Sequence, residues 1–374
     1  IALSGNPATD LTATATADTL TAQSNSTSSG FTDEDHWAQF LFEGQSSMDF
    51  TMTSRAGFTA YGFGSFEFTD TPIITASTPV TMNDLLDGGD GADTIFGEAG
   101  DGADTFSGDT GLDIIDYSTS GSGVSVDLTT STLRGGDAGN DAISGGIDGI
   151  TGSDFNDTLT GFDGSGADFT NVLDGGAGDD LIDGRDGGDS LLGGGGDDTI
   201  LGQGGDDSII LADGFGNDVI TGGETGETLG DTLDLSALTG PTTVDLTSAD
   251  PEVGSVSDGT STATFTEIEN IILGSGIDTI VLADGSGDDE VTGFAAPTDN
   301  GDGTFDGVDQ LEVRGLQDLS GNPVNNIDAV VTSDADGNAV LNFPGGESLT
   351  LIGVSPAAIS DPAALAAMGI PEPG

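Results

Sequence analysis

Four contiguous nine-residue units follow one pattern between Gly175 and Ile210, and this pattern constrains the fold of the chain more than any other feature. The units read GGAGDDLID, GRDGGDSLL, GGGGDDTIL and GQGGDDSII, and a fifth, DGFGNDVIT, begins at Asp213 after two extra residues. Each has glycines in its first half, an aspartate sixth and an aliphatic residue eighth. Because so short a unit cannot bury its single aliphatic side chain, neighbouring units must stack to create a core.

Each unit is predicted to form a six-residue turn followed by a minimal three-residue strand. Glycine permits the positive φ that such a turn needs and lets its carbonyl oxygens approach one another. The sixth-position carboxylates are Asp180, Asp189, Asp198, Asp207 and Asp218, and the inward-facing residues are Ile182, Leu191, Ile200, Ile209 and Ile220. With two units per turn of a coil, Asp180 is predicted to stack on Asp198, and Asp189 on Asp207.

The stacked aspartates predict bound calcium. Two carboxylates about 5 Å apart at an effective dielectric of ~20 repel by roughly 3 kcal/mol. A hard divalent cation that takes about six to eight oxygen ligands removes this repulsion and also binds main-chain carbonyl groups. The turn residues predicted to contribute to the metal sites are Gly88, Gly175, Ala177, Gly184, Asp186, Gly193, Gly195, Gly202 and Gly204.

The nonapeptide pattern resembles that of the RTX family over roughly Asp84–Thr221, and again in Leu282–Gly293. The resemblance implies an all-β fold, a right-handed parallel β-roll or β-solenoid with stacked calcium turns. It also implies type I secretion and calcium-triggered folding outside the cell. It implies no single activity, because RTX repeats accompany proteases, lipases, toxins, adhesins and surface-layer proteins.

A second block of repeats lies upstream. It places Asp93, Asp104 and Asp113 in the metal position and Ile95, Phe106 and Ile115 inside, with a degenerate unit at Thr81–Asp87 before them. Weaker copies place Asp141 with Ile143, and Asp157 with Leu159, in the same two roles. In the last copy Phe155 replaces the fourth-position glycine, and Asn171 takes the sixth position of the copy after it.

An internal repeat extends the prediction downstream. LADGFGNDVITG (Leu211–Gly222) recurs as LADGSGDDEVTG (Leu282–Gly293), which predicts the same turn with Asp289 as ligand and Val291 in the core. The alternating segments between the two copies are expected to be further rungs or an edge sheet of one roll.

Three regions are predicted. Residues 1–78 hold a Ser/Thr-rich tract and a small β module; residues 79–293 form the solenoid, with repeat blocks at 79–118, 134–160, 166–222 and 282–293. Residues 294–374 add a β-hairpin and a short helix, N-capped by Asp361 with Pro362 at its first position, which caps the end of the solenoid. The N-terminal tract is expected either to pack on its own roll or to pair with the open edge of a neighbouring molecule.

A further resemblance covers the stretch from DTLDLSALTG to the end of PAALAAMGIP. It is similar to the segment that precedes a Hint (hedgehog/intein-type) domain in secreted proteins of marine alphaproteobacteria. We therefore expect a processed or secreted chain that lies upstream of such a self-processing domain.

Charge narrows the environment and the partners. The formal net charge is −62, from 66 acidic residues against four arginines. Self-repulsion should keep the chain unfolded in a calcium-poor cytosol, whereas weak extracellular sites (on the order of 10⁻⁴–10⁻³ M) match calcium outside the cell. The lack of a basic patch argues against nucleic acid and anionic membranes, no apolar run is long enough to insert into a membrane, and the lack of cysteine excludes disulfides.

No catalytic constellation stands out. His36 is the only histidine, so the H-E-x-x-H zinc signature is absent, as are a cysteine nucleophile and a G-x-S-x-G elbow. The arginines (Arg55, Arg134, Arg185 and Arg314) are scattered and are expected in surface salt bridges. A carboxylate pair for glycoside hydrolysis stays open. The Asp-rich loops Thr298–Asp309 and Ser333–Val340 are expected to be solvated turns, with calcium loops as the alternative.

The sequence therefore favours a non-enzymatic, extracellular, calcium-stabilised structural protein that self-associates into a filament, surface layer or matrix. The alternative is a calcium-dependent adhesin for glycan or cell surfaces, with Phe58, Tyr61 and Phe63 as candidate contacts. A polysaccharide-modifying enzyme is the third hypothesis, and an extracellular polysaccharide is a further candidate partner.

Overall fold

The chain is an almost entirely β protein made of very short strands. The computed structural model describes residues 11–16, 19–24, 48–50, 73–76, 85–97, 103–162, 170–302 and 304–373, of which those before residue 85 are described by their backbone alone. Two compact units divide the chain, Ile1–Phe162 and Asp163–Gly374.

The first unit consists of stacked three- to six-residue strands. They are β1 (Leu11–Thr16), β2 (Thr19–Ser24), β3 (Met48–Phe50), β4 (Ile73–Ala76), β5 (Leu85–Asp87), β6 (Thr94–Phe96), β7 (Thr105–Ser107), β8 (Ile114–Asp116), β9 (Ser125–Asp127), β10 (Thr132–Arg134), β11 (Ala142–Gly145), β12 (Gly149–Thr151) and β13 (Thr158–Thr160), with a 3-10 helix at Gly136–Ala138.

Most of these strands pair in parallel with a strand one turn of the coil away. One series runs β2–β3–β4–β6–β8–β12 and another β5–β7–β11, while β9 pairs in parallel with β13. Two antiparallel insertions interrupt the pattern: β1 pairs with β2, and β10 lies between β9 and β11. The alternating N-terminal tract thus forms a hairpin in the sheet of its own unit.

The second unit continues the same architecture over a longer stretch. Its elements are β14 (Val172–Asp174), β15 (Leu181–Asp183), β16 (Ser190–Leu192), β17 (Thr199–Gly204), β18 (Ser208–Ala212), β19 (Val219–Thr225), β20 (Thr232–Ala237), β21 (Thr243–Leu246), β22 (Gly254–Ser257), β23 (Thr262–Thr266), β24 (Asn270–Ile272), β25 (Thr279–Ala283), β26 (Asp288–Thr292), β27 (Thr298–Asp299), β28 (Phe305–Asp306), β29 (Gln310–Gly315), β30 (Val330–Ser333), β31 (Ala339–Asn342), β32 (Ser348–Ile352), α1 (Pro356–Ile359) and α2 (Pro362–Ala367).

Parallel pairing in the second unit alternates between two faces. The series β14–β16–β18–β20–β24–β26–β32 forms one face, and β15–β17–β19–β23 and β21–β25–β29 lie in the other. Ile182 is in register with Ile200, and Leu191 with Ile209. Two nonapeptides therefore make one turn, as predicted, and the prediction of an all-β parallel roll is confirmed.

The core is a column of apolar side chains, one from a three-residue strand and two from several longer ones, such as Leu233 and Leu235 of β20. The eighth-position residues Ile182, Leu191, Ile200, Ile209 and Ile220 are all buried, as are Ile95, Phe106, Ile115, Leu159 and Val291 elsewhere. Ile143 is the exception, being only half-buried, because its strand β11 is preceded by the 3-10 helix and joined laterally by β10. Each three-residue repeat strand thus supplies one apolar side chain, and stability depends on stacking.

The internal repeat reproduces its turn as well as its strands. Gly214 and Gly216 have φ of 91° and 85°, and the corresponding Gly285 and Gly287 have 89° and 93°. The strands β18–β19 and β25–β26 flank these two turns. The predicted return of the same geometry is confirmed.

The C-terminal elements close the second unit. The predicted hairpin is β31–β32, and the predicted helix is α2, where Asp361 accepts a hydrogen bond from the Ala363 N–H at 2.8 Å and Pro362 is the first residue. Beyond α2, the Met368 carbonyl accepts the Leu311 N–H of β29 at 2.5 Å. An edge of β29 is thereby covered, which is the role expected of a cap.

The predicted boundaries at residues 78/79 and 293/294 stay predictions. β29 and β32, which belong to the predicted cap, pair in parallel with β25 and β26 of the predicted solenoid. In the degenerate unit Thr81–Asp87, residues 85–87 form β5, while Asp84 lies outside the described residues.

Candidate calcium-binding turns

The sixth-position aspartates form a ladder between rungs. In each case Oδ1 of an aspartate accepts the main-chain N–H of the aspartate one rung earlier. The distances are 2.8 Å from Asp180 N to Asp198, 2.7 Å from Asp189 N to Asp207 and 3.0 Å from Asp198 N to Asp218. The predicted stacking of Asp180 on Asp198 and of Asp189 on Asp207 is thus confirmed.

Many of the ladder carboxylates have a second oxygen with no hydrogen-bond partner among the described residues. The buried Oδ2 atoms without a hydrogen bond in the described part of the chain include those of Asp93, Asp113, Asp189, Asp198, Asp207, Asp218, Asp231 and Asp278. A buried acceptor left without a partner costs about 1–3 kcal/mol, and more when it is charged. The same orphaned atom on successive rungs points to a ligand bound along this row.

First-position glycines provide the space for such a ligand. A Cβ built on Gly184 would lie 2.7 Å from Asp189 Oδ2 and 3.1 Å from the Gly202 carbonyl oxygen. On Gly202 it would overlap Asp207 Oδ2 and lie 2.6 Å from the Gly222 carbonyl oxygen. A carboxylate oxygen of one nonapeptide and the first-position carbonyl oxygen of the nonapeptide one turn of the coil later thus face the same small space. An all-oxygen donor set of this kind fits calcium.

Burial makes the charged form of these carboxylates costly without a cation. Loss of solvation, with repulsion from neighbouring aspartates, raises the pKa of Asp189 and Asp218 to about 7, although main-chain N–H donors oppose the shift. The pKa of Asp198 and of Asp207 is raised to about 6, again mainly by burial. A bound divalent cation would offset this cost at neutral pH.

A comparison with protein-family models matches these turns. Four copies of the RTX calcium-binding nonapeptide repeat are found, at residues 83–101, 165–200, 183–215 and 210–225. The chain carries RTX calcium-binding repeats. The matches span less than half of the 374 residues, and no curated protein matches the chain. Proteins with RTX repeats are typically secreted, and in the described residues no helix is long and apolar enough to cross a membrane.

The third-position residues of the RTX turns stack through their main chains. Ala177 is bridged to Gly195 and Asp186 to Gly204. The Gly195 carbonyl accepts the Gly178 N–H at 2.8 Å, and a carbonyl oxygen with one such bond keeps a second lone pair for a metal ion. The structure therefore brings the predicted ligands of residues 175–207 together, while the assignment of each to a calcium ion stays a prediction.

The second-position residues adopt a left-handed conformation even where they are not glycine. Gly176 and Gly194 have φ of 94° and 95°, and Arg185 and Gln203 have 76° and 79°. The residue type at the second position varies from unit to unit, but the backbone conformation is the same in all four units. Arg314 forms an ion pair with Glu312 at 2.6 Å and is exposed, as expected, whereas Arg185 and its partner Asp183, 3.2 Å apart, are both half-buried.

In the first unit the RTX ladder runs through Asp93, Asp113 and a further residue, Asp148. Asp113 Oδ1 accepts the Asp93 N–H at 2.9 Å, and Asp148 Oδ2 accepts the Asp113 N–H at 2.9 Å. A Cβ on Gly88 would lie 2.8 Å from Asp93 Oδ2. Burial raises the pKa of Asp113 to about 6. These residues reproduce the RTX arrangement of the second unit.

Two of the weaker copies have carboxylates with other protein partners. Asp141 Oδ1 accepts the Asp104 N–H at 2.9 Å, and its Oδ2 lies 3.4 Å from the Tyr117 hydroxyl. Asp157 accepts hydrogen bonds at both oxygens, from the Val124 N–H at 2.6 Å and from the N–H and hydroxyl of Ser153. Asp141 and Asp157 therefore lack the orphaned oxygen, and their ligation remains a prediction.

Asp289, in contrast to Asp141 and Asp157, has a carboxylate without hydrogen-bond partners in the described residues. Both of its carboxylate oxygens are buried without a partner in the described structure. It lines a cavity of about 100 Å³ together with Glu252, Glu269 and Glu290. Burial raises the pKa of Asp289 to about 7. Its surroundings suit the predicted role of metal ligand.

Several ladder residues were not predicted from the sequence. They are Asp148, Asp231, Asp278 and Asp309. Asp231 Oδ1 accepts the Asp207 N–H at 2.7 Å, and Asp309 Oδ1 accepts the Asp278 N–H at 3.0 Å. The complete Gly-Gly-x-Gly spacing of the repeat is absent before these residues. The signal that remains is an Asp-x-apolar triplet that begins a strand, as in Asp231-Thr232-Leu233.

The Asp-rich loops of the C-terminal region form hydrogen-bonded turns. Asp302 accepts hydrogen bonds from the N–H and hydroxyl of Thr304. Asp334 accepts them from the N–H groups of Asp336 and Asn338. Exposed turns with satisfied carboxylates match the expectation of solvated loops.

Other functional candidates cannot be placed. His36, Arg55 and the aromatic residues Phe58, Tyr61 and Phe63 of the adhesin hypothesis lie outside the described residues.

Proposed function

We propose that this chain is a secreted, non-enzymatic structural protein whose calcium-stabilised roll self-associates into an extracellular filament, surface layer or matrix. Calcium ions lie between successive turns and neutralise the aspartate ladder, one ion per pair of stacked turns. The protein thus folds only where calcium is plentiful, that is, outside the cell.

The proposal of self-association rests on the open edge of β1. β1 pairs with β2 on one side, and no described strand pairs with its other side. Its sequence, LTATAT, contains no charge, proline or glycine, the features with which proteins usually block such edges. A second copy of the chain can add a strand there through main-chain hydrogen bonds.

The arrangement of the carboxylates supports a structural rather than a catalytic role. In the described rungs, the ladder aspartates bind main-chain N–H groups of the neighbouring turn. The cavity beside Asp289, about 100 Å³, is well below the about 300–1,000 Å³ of small-molecule sites. These carboxylates hold turns together and do not converge on a substrate.

Electron microscopy tests the proposal. Purified protein in millimolar calcium should form filaments or sheets that disperse when a chelator is added. Ala15→Pro in β1 should prevent assembly, because proline blocks strand addition, whereas Ala15→Val, which keeps the N–H and favours strands, should not. Circular dichroism must show the same β content for both variants. Dispersed monomers of the unmodified chain in calcium would contradict the proposal.

A further inference from the structure

The turn after the last RTX unit departs from the repeat. Gly222–Asp231 reads GGETGETLGD, which begins as a nonapeptide but has Glu227 in sixth place and three more residues before Asp231. Asp231 immediately precedes β20, and Glu269 immediately precedes β24, the next strand on the same face. The family match ends at residue 225, so all three residues lie beyond it.

Glu227, Asp231 and Glu269, here called the acidic triad, converge on one point. One carboxylate oxygen from each lies within 4.8 Å of the other two. Asp231 is held by the ladder, since its Oδ1 accepts the Asp207 N–H at 2.7 Å and its own N–H donates to Glu269 Oε2 at 2.5 Å. Hydrogen bonds to two rungs therefore set the position of the central carboxylate.

The triad also contains buried oxygen atoms without a partner. Asp231 is fully buried, and its Oδ2 has no hydrogen bond in the described structure. Glu227 Oε1 is likewise buried and unpaired. A Cβ on Gly222 would overlap both Asp231 Oδ2 and the Glu267 carbonyl oxygen, so glycine leaves the same kind of space here as in the repeats.

Among the described residues, no basic side chain forms an ion pair with the triad. The ion pairs of the described residues are Arg185–Asp183 and Arg314–Glu312, and neither involves a triad residue. Glu252 adds further negative charge, because it lines the cavity beside Asp289 together with Glu269. Carboxylates this close, partly buried and unneutralised, repel one another strongly unless a cation lies between them.

We propose that the acidic triad binds one calcium ion at a site outside the RTX repeats. Every donor is a carboxylate or carbonyl oxygen, which selects a hard cation. Calcium takes about six to eight oxygen ligands in a flexible geometry, whereas magnesium demands a near-ideal octahedron and keeps several waters. Three carboxylates from different connections, with a carbonyl oxygen beside them, fit calcium better.

The ion joins two loops that the RTX turns do not reach. Glu227 lies in the connection from β19 to β20, and Glu269 in the connection from β23 to β24. A bound ion holds these two connections against Asp231. The site thereby fixes the junction between the last calcium turn of the repeats and the longer rungs that follow.

Calcium counting tests the proposal. Calcium per folded chain is measured by equilibrium dialysis and elemental analysis, for the unmodified chain and for the double variant Glu227→Gln/Glu269→Gln. Glutamine keeps an oxygen that can accept the Asp231 N–H, so the ladder survives. The double variant should bind one ion fewer, or bind that ion at least tenfold more weakly. Glu372→Gln, an exposed glutamate outside the triad, should match the unmodified chain.

Two further measurements make the result decisive. Glu227→Gln alone, which leaves the Asp231–Glu269 hydrogen bond untouched, should weaken the same single ion. Hydrogen exchange of residues 226–230 should become faster in both variants, with residues 175–210 unaffected. An unchanged calcium count together with unchanged exchange would overturn the proposal. None of these measurements depends on filament formation. A chain that does not assemble could therefore still show the calcium site, and a chain without the site could still assemble.

Discussion

Asp189 and Asp207 are joined by a hydrogen bond of 2.7 Å from the main-chain N–H of the first to Oδ1 of the second. The remaining oxygen of each, Oδ2, is buried without a partner in the described structure. One oxygen of each carboxylate thus links two turns by a hydrogen bond. The other oxygen is free to bind a cation.

Removal of calcium should unfold the roll. Without the cation the buried carboxylates repel one another, and each short repeat strand contributes only one apolar side chain to the core. Circular dichroism after exhaustive dialysis against EDTA should show loss of β content, and re-addition of calcium should restore it. A spectrum and melting temperature that do not change would refute the role assigned to calcium.

Asp207→Asn should have opposite effects with and without calcium. The amide keeps the acceptor for the Asp189 N–H but removes a buried charge, so the calcium-free chain should become more stable. In calcium the site loses a charged ligand, and its affinity should fall about tenfold or more, about 1.4 kcal/mol. Circular dichroism in EDTA and urea unfolding in calcium measure the two effects, and Glu372→Gln, at an exposed position, is the control. The same sign under both conditions would contradict the prediction.

The calcium-free chain should lose stability as the pH rises from about 4 to about 8. Burial raises the pKa of Asp189, Asp218 and Asp289 to about 7, above the about 3.9 of an unfolded aspartate. The folded state therefore binds more protons in this range, and its advantage, complete below about pH 4, is lost as the pH passes through the folded pKa.

Exposed turn residues such as Asp334 have a lowered pKa because Asn338 donates a hydrogen bond to the carboxylate. Such residues stabilise the folded state above the unfolded pKa, and this contribution is lost only at lower pH. The β content in EDTA, measured by circular dichroism at pH 4.5, 6 and 7.5, should fall in that order, while calcium affinity should rise with pH because the ion displaces protons. A β content that increases with pH in EDTA would show that the ladder carboxylates are not buried as described.

Gly202→Ala should disrupt one calcium turn. The added Cβ would overlap Asp207 Oδ2 and lie 2.6 Å from the Gly222 carbonyl oxygen, which we expect to cost about 1–3 kcal/mol through overpacking in addition to the lost ion. Gly240→Ala is the matched control, because nothing lies within 4 Å of a Cβ at that position. Thermal unfolding in calcium compares the two. Equal melting temperatures for the two variants would contradict the claim that a Cβ at position 202 has no room.

Gln203→Gly should stabilise the protein. Gln203 has φ of 79°, a left-handed conformation that costs a residue with a Cβ about 1–2 kcal/mol and glycine almost nothing. The gain should be about 1 kcal/mol in chemical unfolding. Gln317→Gly, at an exposed position without positive φ, should instead destabilise by about 0.5–1 kcal/mol. A loss of stability in both variants would show that the second position is not strained.

The repeats were readable from the sequence because each carries its own turn and its own core residue. The glycines and aspartate of Gly175–Asp183 specify the turn, and the eighth residue, Ile182, specifies the inward face. The 18-residue register followed from two units per turn. The cap was readable as well, since Asp361 and Pro362 form a local signal for the start of a helix.

The remaining rungs were hidden because their turns differ in length and composition. Asp231 and Asp278 keep the ladder, yet one follows GETLG and the other GSGI instead of a glycine-rich turn. Asp157 shows the converse: it occupies a repeat position, but Ser153 occupies its free oxygen, which depends on a contact that spacing does not reveal. The acidic triad was also missed, because its members are brought together only by the pairing of β20 with β24.

The ladder has a direction, so the two ends of the repeat array lack different groups. Each turn donates an N–H to the carboxylate of a turn that comes later in the chain, from Asn171 through Asp189, Asp207 and Asp231 to Glu269. The first residue of a strand donates in the other direction, as the Thr199 N–H does to the Asp180 carbonyl. Trimming rungs from the C-terminal side therefore removes a carboxylate acceptor, whereas trimming from the N-terminal side removes a main-chain carbonyl acceptor. A segment that covers the array must supply the acceptor that is missing: a carboxylate at the C-terminal end and a carbonyl at the N-terminal end.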